Sequence, residues 1–163
     1  MTLVDLFEAE TDKIWAQAGI DVEFLPLNYY SNSAFIVLSE DEIQSFFDTA
    51  GGASADPYVI NVWYTGSINS ASLGMVTGIT NDIGGNKIIL SAYSSKYDIV
   101  DILSHEIGHS LGLEHINNPW DYGNMMQDYL MSSFLMCTSS INDIYLGGIG
   151  LSFAGWLSRR KTA

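Results

Sequence analysis

Basic residues are scarce in this sequence. Six Lys and Arg stand against 19 Asp and Glu, a formal net charge of -13, and three of the six, Arg159, Arg160 and Lys161, sit at the C-terminus. The body of the chain holds only Lys13, Lys87 and Lys96 as cations. Such a surface repels a polyanionic backbone, which excludes nucleic acid as the main partner. Cysteine is limited to Cys137, so no internal bridge can form and a disulfide-stapled fold is excluded; a small buried apolar residue is its plain reading. Proline accounts for three of 163 residues, while 47 % are hydrophobic and 15 % charged. That balance excludes disordered and collagen-like chains and fits a single domain, residues 1–163, with a sizeable core. The N-terminal MTLVDLFEAETDK holds acids where a secretion signal holds lysines and an apolar core, so no signal peptide is expected there. No internal repeat and no linker divides the chain.

What is present is a succession of helix and strand patterns. Leu3, Phe7, Ile14 and Ala18 recur at helical spacing and Gly19 follows as a stop, which predicts a helix over 3–18. Residues 21–27 alternate Val22 and Phe24 with polar positions, as a half-buried strand does, before Pro26 and NYYSNS break the pattern. Ser39 and Glu42 are spaced as a capping box for a helix over 40–50, closed by Gly51 and Gly52. Strands are expected at 58–65, 73–80 and 87–93, the middle one weakened by Gly74 and Gly78 and followed by the turn Asn81-Asp82-Ile83-Gly84-Gly85-Asn86. Ile99, Ile102, Leu103, Ile107 and Leu111 are spaced for a further helix, with Ser95 to Asp98 as its capping box and Gly112 as its end. Residues 116–140 are rich in Asn, Asp, Ser, Gly and Met without a sustained period.

All three histidines of the chain fall in one segment of that helix and its exit, His105-Glu106-Ile107-Gly108-His109-Ser110-Leu111-Gly112-Leu113-Glu114-His115. Three histidines placed at random would show this spacing in roughly 2 cases in 10,000. On a helix His105 and His109 lie one turn apart on one face, close enough to share an ion at zinc–nitrogen distances of about 2.0–2.1 Å. Gly112 lets the chain leave the helix so that His115 can return as a third ligand. Three neutral ligands leave a zinc ion its charge and an open fourth position for water, the arrangement of a catalytic site. Glu106, beside the metal and not on it, would then act as general base on that water and afterwards as acid toward a leaving amine. An amphipathic helix with a histidine face and a nonhydrolytic zinc-binding remnant are the alternatives.

HEIGHSLGLEH matches the HExxHxxGxxH signature of the metzincin zinc endopeptidases at every defined position and resembles the matrixin-like bacterial members most. IWAQAGIDVEF at 14–24 is similar to the first helix and following strand of such proteases, and the resemblance covers about residues 10–130. It implies an α+β zincin-like fold: a twisted, mixed, mostly parallel sheet, an N-terminal helix behind it, an active-site helix beneath the cleft and a C-terminal helix. It also implies that 73–80 is an antiparallel edge strand lining the cleft, to which an extended peptide adds by main-chain hydrogen bonds. Gly123-Asn124-Met125-Met126 resembles the family's methionine turn, which makes Met126 the candidate support under the zinc, with Met131 and Met136 as alternatives. Residues 127–136 would form the specificity-pocket wall. Where astacin-like and serralysin-like members carry a zinc-binding tyrosine, this chain has Asp128. No further histidine remains for a second, structural zinc, and Cys137 lies downstream of the motif, not upstream where a latency cysteine stands.

The expected function is thus that of a zinc-dependent metalloendopeptidase acting on protein or peptide substrates with one catalytic zinc. The alternative is a catalytically silent, zinc-containing peptide-binding or surface module. The NDIGGN turn resembles matrixin calcium loops, against the simpler reading of a solvated turn. The family resemblance implies a secreted or cell-envelope protein. Residues 141–163 read either as the C-terminal helix or as a sorting or anchor tail ending in RRK; the uncharged run 144–157 is short for a membrane span of about 17–25 residues.

Overall fold

In the computed structural model, which describes residues 3–27, 30–71, 74–92 and 102–115, Phe7, Ile14 and Trp15 form the buried stripe of helix α1 (Leu3–Ala16). The helix ends where Gly19 takes φ +71°. Gly19 N–H bonds the Ala16 carbonyl at 3.0 Å and Ile20 N–H reaches back to the Trp15 carbonyl at 3.1 Å, the paired bonds of a Schellman end. Beyond it the alternation at 21–27 shows in burial but builds no strand. Val22 and Phe24 pack on the core between exposed neighbours, yet the segment has no regular structure. Alternation reports half-burial and not pairing. Pro26 has no N–H to contribute to a ladder, and the strand expected here is corrected to irregular chain.

A 3-10 turn at Ser33–Phe35 leads into strand β1 (Val37–Ser39) and helix α2 (Glu40–Thr49). The expected capping box is formed: the Glu42 carboxylate accepts from the Ser39 N–H at 2.9 Å and from its hydroxyl at 2.7 Å. The Ser39 backbone N–H, then its hydroxyl, holds the Glu42 carboxyl below its ordinary range. The cap is therefore present above that ordinary range and lost as pH falls through the lowered value.

Strands β2 (Asn61–Thr65), β3 (Ser67–Ser70), β4 (Gly74–Val76), β5 (Gly78–Thr80) and β6 (Lys87–Ser91) follow, then helix α3 (Ile102–Ser110). Two three-stranded sheets result, ordered β1-β3-β4 and β2-β6-β5. The parallel ladders, Val37–Ser39 on Ser67–Asn69 and Asn61–Thr65 on Lys87–Ser91, cover more residues than the antiparallel ones of β3 with β4 and β5 with β6. Single residues, Gly66 and Thr77, separate β2 from β3 and β4 from β5, and Ser91 N–H bonds the Thr77 carbonyl at 2.9 Å, which ties the two sheets together. The strand expected at 73–80 is thus split at Thr77. Neither β1 nor β3 is expected from the sequence, because each buries one residue, Leu38 or Ile68, among polar or exposed neighbours.

Strand β6 is apolar on both faces, as a strand covered on both sides must be. Ile88 and Leu90 join Phe7, Trp15, Leu103 and Ile107 in a core shared with α1 and α3; Ile89 points the other way, to Leu38, Phe46, Phe47 and Ile68 under α2. Among the described residues no helix is long and apolar enough to cross a membrane. The capping box expected at Ser95–Asp98, the Met126 turn, the pocket wall 127–136, Cys137 and the tail 141–163 lie outside the described residues.

Ile89 is wholly buried and Leu25 is 56 % exposed. Ile89→Ala should cost about 2–5 kcal/mol and Leu25→Ala about 0.5 kcal/mol or less, read from urea denaturation midpoints at unchanged slope.

Candidate metal centre

Helix α3 is buried along Ile102–His109, and its packing against α1, β5 and β6 sets where its polar residues point. The four-residue spacing puts His105 and His109 on one face. The helix then ends as α1 does. Gly112 at φ +91° donates to the His109 carbonyl at 2.9 Å and Leu113 N–H to the Gly108 carbonyl at 2.9 Å, with Leu113 beside Ile107 in the core. That reversal brings His115 back over the face carrying the other two.

The three Nε2 atoms form a near-equilateral triangle: His105 to His109 3.1 Å, His105 to His115 3.1 Å, His109 to His115 3.0 Å. His109 Nδ1 meets the Leu113 carbonyl at 2.8 Å; a carbonyl only accepts, so Nδ1 carries the proton and Nε2 presents a lone pair. Protons cannot satisfy such a triangle. Were His105 and His115 both to donate to His109, two N–H groups would face each other along the remaining edge. A single cation receiving three lone pairs satisfies all three. Ligands about 2.0–2.1 Å from a tetrahedral centre are about 3.3 Å apart, close to what is seen, and three neutral imidazoles suit zinc. The residues present fit the metal.

Glu106 lies beside this triangle and is 4 % exposed. Burial pushes its carboxyl up to about 7, against the opposing effect of hydrogen bonds from Thr80. A dication on the neighbouring imidazoles would act the other way, favouring the carboxylate. Thr80 Oγ1 lies 2.7 Å from Glu106 Oε2 and 3.0 Å from the Glu106 carbonyl oxygen. A Cβ at Gly78 would stand 2.8 Å from Glu106 Oε1 and 2.9 Å from both its Cγ and Ile102 Cγ1. Strand β5 approaches the helix this closely because Gly78 has no side chain.

The cleft over the triangle is walled by Ile79, Thr80 and Ile83 and rimmed by Asp82 and Glu114. Turn 81–86, weighed above as a calcium loop, uses Asn81 Oδ1 to accept from Lys87 N–H at 2.9 Å and Asp82 Oδ1 from Ile83 N–H at 2.8 Å. Gly84 N–H donates to the His109 carbonyl at 2.8 Å, which anchors the turn to the end of α3. The structure thus brings together His105, His109, His115 and Glu106 as the spacing implies. Thr80, Gly84 and the Leu113 carbonyl were not singled out by sequence as parts of the site; Gly78 was visible only as a glycine inside a strand pattern, which signals a close approach without saying to what.

The Matrixin family profile matches residues 10–136 of the chain. No curated protein matches it significantly. Among solved structures it is similar to archaemetzincin from Archaeoglobus fulgidus, crystallised with malonate, at 19 % identity and TM-score 0.49 over 86 % of this chain and 83 % of that one.

His109→Ala should lower zinc retention at least tenfold, as an order of magnitude for loss of one ligand, while Glu106→Gln keeps the metal; metal content after dialysis distinguishes them. Gly78→Ala should keep the metal but lower stability by about 1–3 kcal/mol, read by chemical denaturation.

Proposed function

From the premise that the chain belongs to the matrixin family of metallopeptidases, we propose that it is an endopeptidase with Glu106 as general base and His105, His109 and His115 as zinc ligands. The observation that carries this reading is a buried carboxylate held next to three convergent imidazole nitrogens. When bound there, zinc supplies Lewis acidity, polarising a scissile carbonyl and lowering the pKa of water.

Substrate recognition falls to strand β5. Among the described residues β5 pairs only with β6, on one side. Its other edge faces the cleft side lined by Ile79 and Thr80 and suits an extended peptide by main-chain hydrogen bonding. A strand edge reads backbone and not a chain terminus, which supports cleavage within a polypeptide. Glu106 takes a proton from the attacking water as the new carbon–oxygen bond forms, then delivers it to the amide nitrogen as the carbon–nitrogen bond breaks. One water is consumed and the carboxylate is regenerated.

A denatured, fluorescently quenched protein is the test substrate, offered to metal-free and zinc-restored samples. Cleavage should appear only with zinc and fall by about 100- to 10,000-fold in Glu106→Ala, with zinc content retained. Peptide affinity without cleavage in any sample would instead make this a binding module.

A further inference from the structure

We infer that Thr80 is a positioning residue for Glu106, fixing the orientation of the carboxylate that handles the proton. The inference rests on the reading of Glu106 as general base and extends it to a residue on a different element, 26 positions away in sequence.

Gly78 and Thr80 are two residues apart on β5 and therefore share one face of the strand, the face turned to α3. Ile79 between them turns the other way and packs under α2. Glu106 is held against that face at two points. Its Cγ and Oε1 lie where a side chain at Gly78 would be. Its Oε2 lies 2.7 Å from the Thr80 hydroxyl, which is also 3.0 Å from the Glu106 main-chain oxygen. One hydroxyl thus bridges the head and the backbone of a single residue. That contact holds a side chain with three rotatable bonds in one conformation.

The hydroxyl is at hydrogen-bond distance from Oε2, and the Thr80 main chain bonds the same buried carboxyl, so the head of Glu106 is held from β5 by this one residue. A general base must sit within about 2.6–3.2 Å of the proton it takes, and a misplacement of 1 Å costs on the order of 100-fold in rate. The helix fixes the Glu106 backbone and Gly78 confines the side chain by close approach; Thr80 adds the directional constraint on the carboxylate.

Thr80→Val keeps the shape and removes the hydroxyl; Thr80→Ser keeps the hydroxyl and removes the methyl. With the zinc-loaded protein and the quenched substrate, Thr80→Val should lower kcat about 10- to 100-fold while KM stays within about twofold, and Thr80→Ser should recover most of the loss. In the Glu106→Ala background, Thr80→Val should change the residual rate no further. Zinc content and thermal midpoint, recorded for every variant, should stay at wild-type values in Thr80→Ser, and zinc content should stay so in Thr80→Val. Wild-type kcat in Thr80→Val, with Glu106→Ala inactive, would overturn the positioning role and leave the base in place. Equal loss in the Ser and Val variants, or loss of zinc in both, would overturn it as well by making Thr80 a packing residue. Full activity in Glu106→Ala would instead remove the reading on which the inference stands.

Discussion

The centre depends on how the chain leaves α3. A helix can align two imidazoles four residues apart, but no continuing helix can bring a third to the same point from six residues further on. The left-handed Gly112 reverses the chain, and the bonds from Gly112 to His109 and from Leu113 to Gly108 hold the reversal. The same turn delivers the Leu113 carbonyl to His109 Nδ1 at 2.8 Å, so the residue that closes the helix also fixes which nitrogen of His109 faces the metal. The His109 carbonyl accepts from Gly112 and from Gly84 of the 81–86 turn. One peptide group thereby joins the helix end, the 81–86 turn and the ligand set. Helix α1 ends on the same device at Gly19 without any ligand to place, which shows that the motif is a general stop put to a particular use in α3.

Around this point the sheet supplies what the helix lacks. Strand β5 is pinned to β6 by an antiparallel ladder, and β6 is buried on both faces by α1 and α3 on one side and α2 on the other. Gly78 and Thr80 are therefore presented to Glu106 from a rigid element, not from a loop. Interior packing is dense enough that such a contact is stiff. The edge that would accept a substrate backbone and the residues that hold Glu106 belong to the same three-residue strand, so substrate register and carboxyl position would refer to one frame.

Much of the centre could be read from the chain because its chemistry is local. The ligand spacing, the glutamate beside the first histidine and the helix-stopping glycine all lie within His105–His115, where geometry follows from helical periodicity and φ preference. Ser39 and Glu42 were legible for the same reason. The rest was hidden by distance or by faint patterning. Thr80 meets Glu106 through tertiary packing, and a threonine in an apolar strand looks like an ordinary β-former. Strand β3 reads Ser-Ile-Asn-Ser, with only Ile68 buried, and it exists because β1 and β4 flank it. The segment 21–27 errs the other way, with a strand-like pattern and no ladder. Gly78 was visible as an anomaly; what it makes room for was not.

Charge ties the catalytic reading to the composition. A chain of net charge -13 sets a negative potential over its surface, in which a buried carboxyl favours its protonated form, and the upward push on Glu106 has the same sign. Three neutral imidazoles would leave a bound dication its full charge beside that buried carboxyl, where attraction is screened less by salt than at the surface. The acidic rim of Asp82 and Glu114 attracts the cation to the cleft, while the imidazoles hold it by lone pairs that need no charge of their own. Metal and carboxyl are therefore coupled. The burial that raises the Glu106 carboxyl would also strengthen its attraction to a bound cation, so the two effects oppose each other at one side chain.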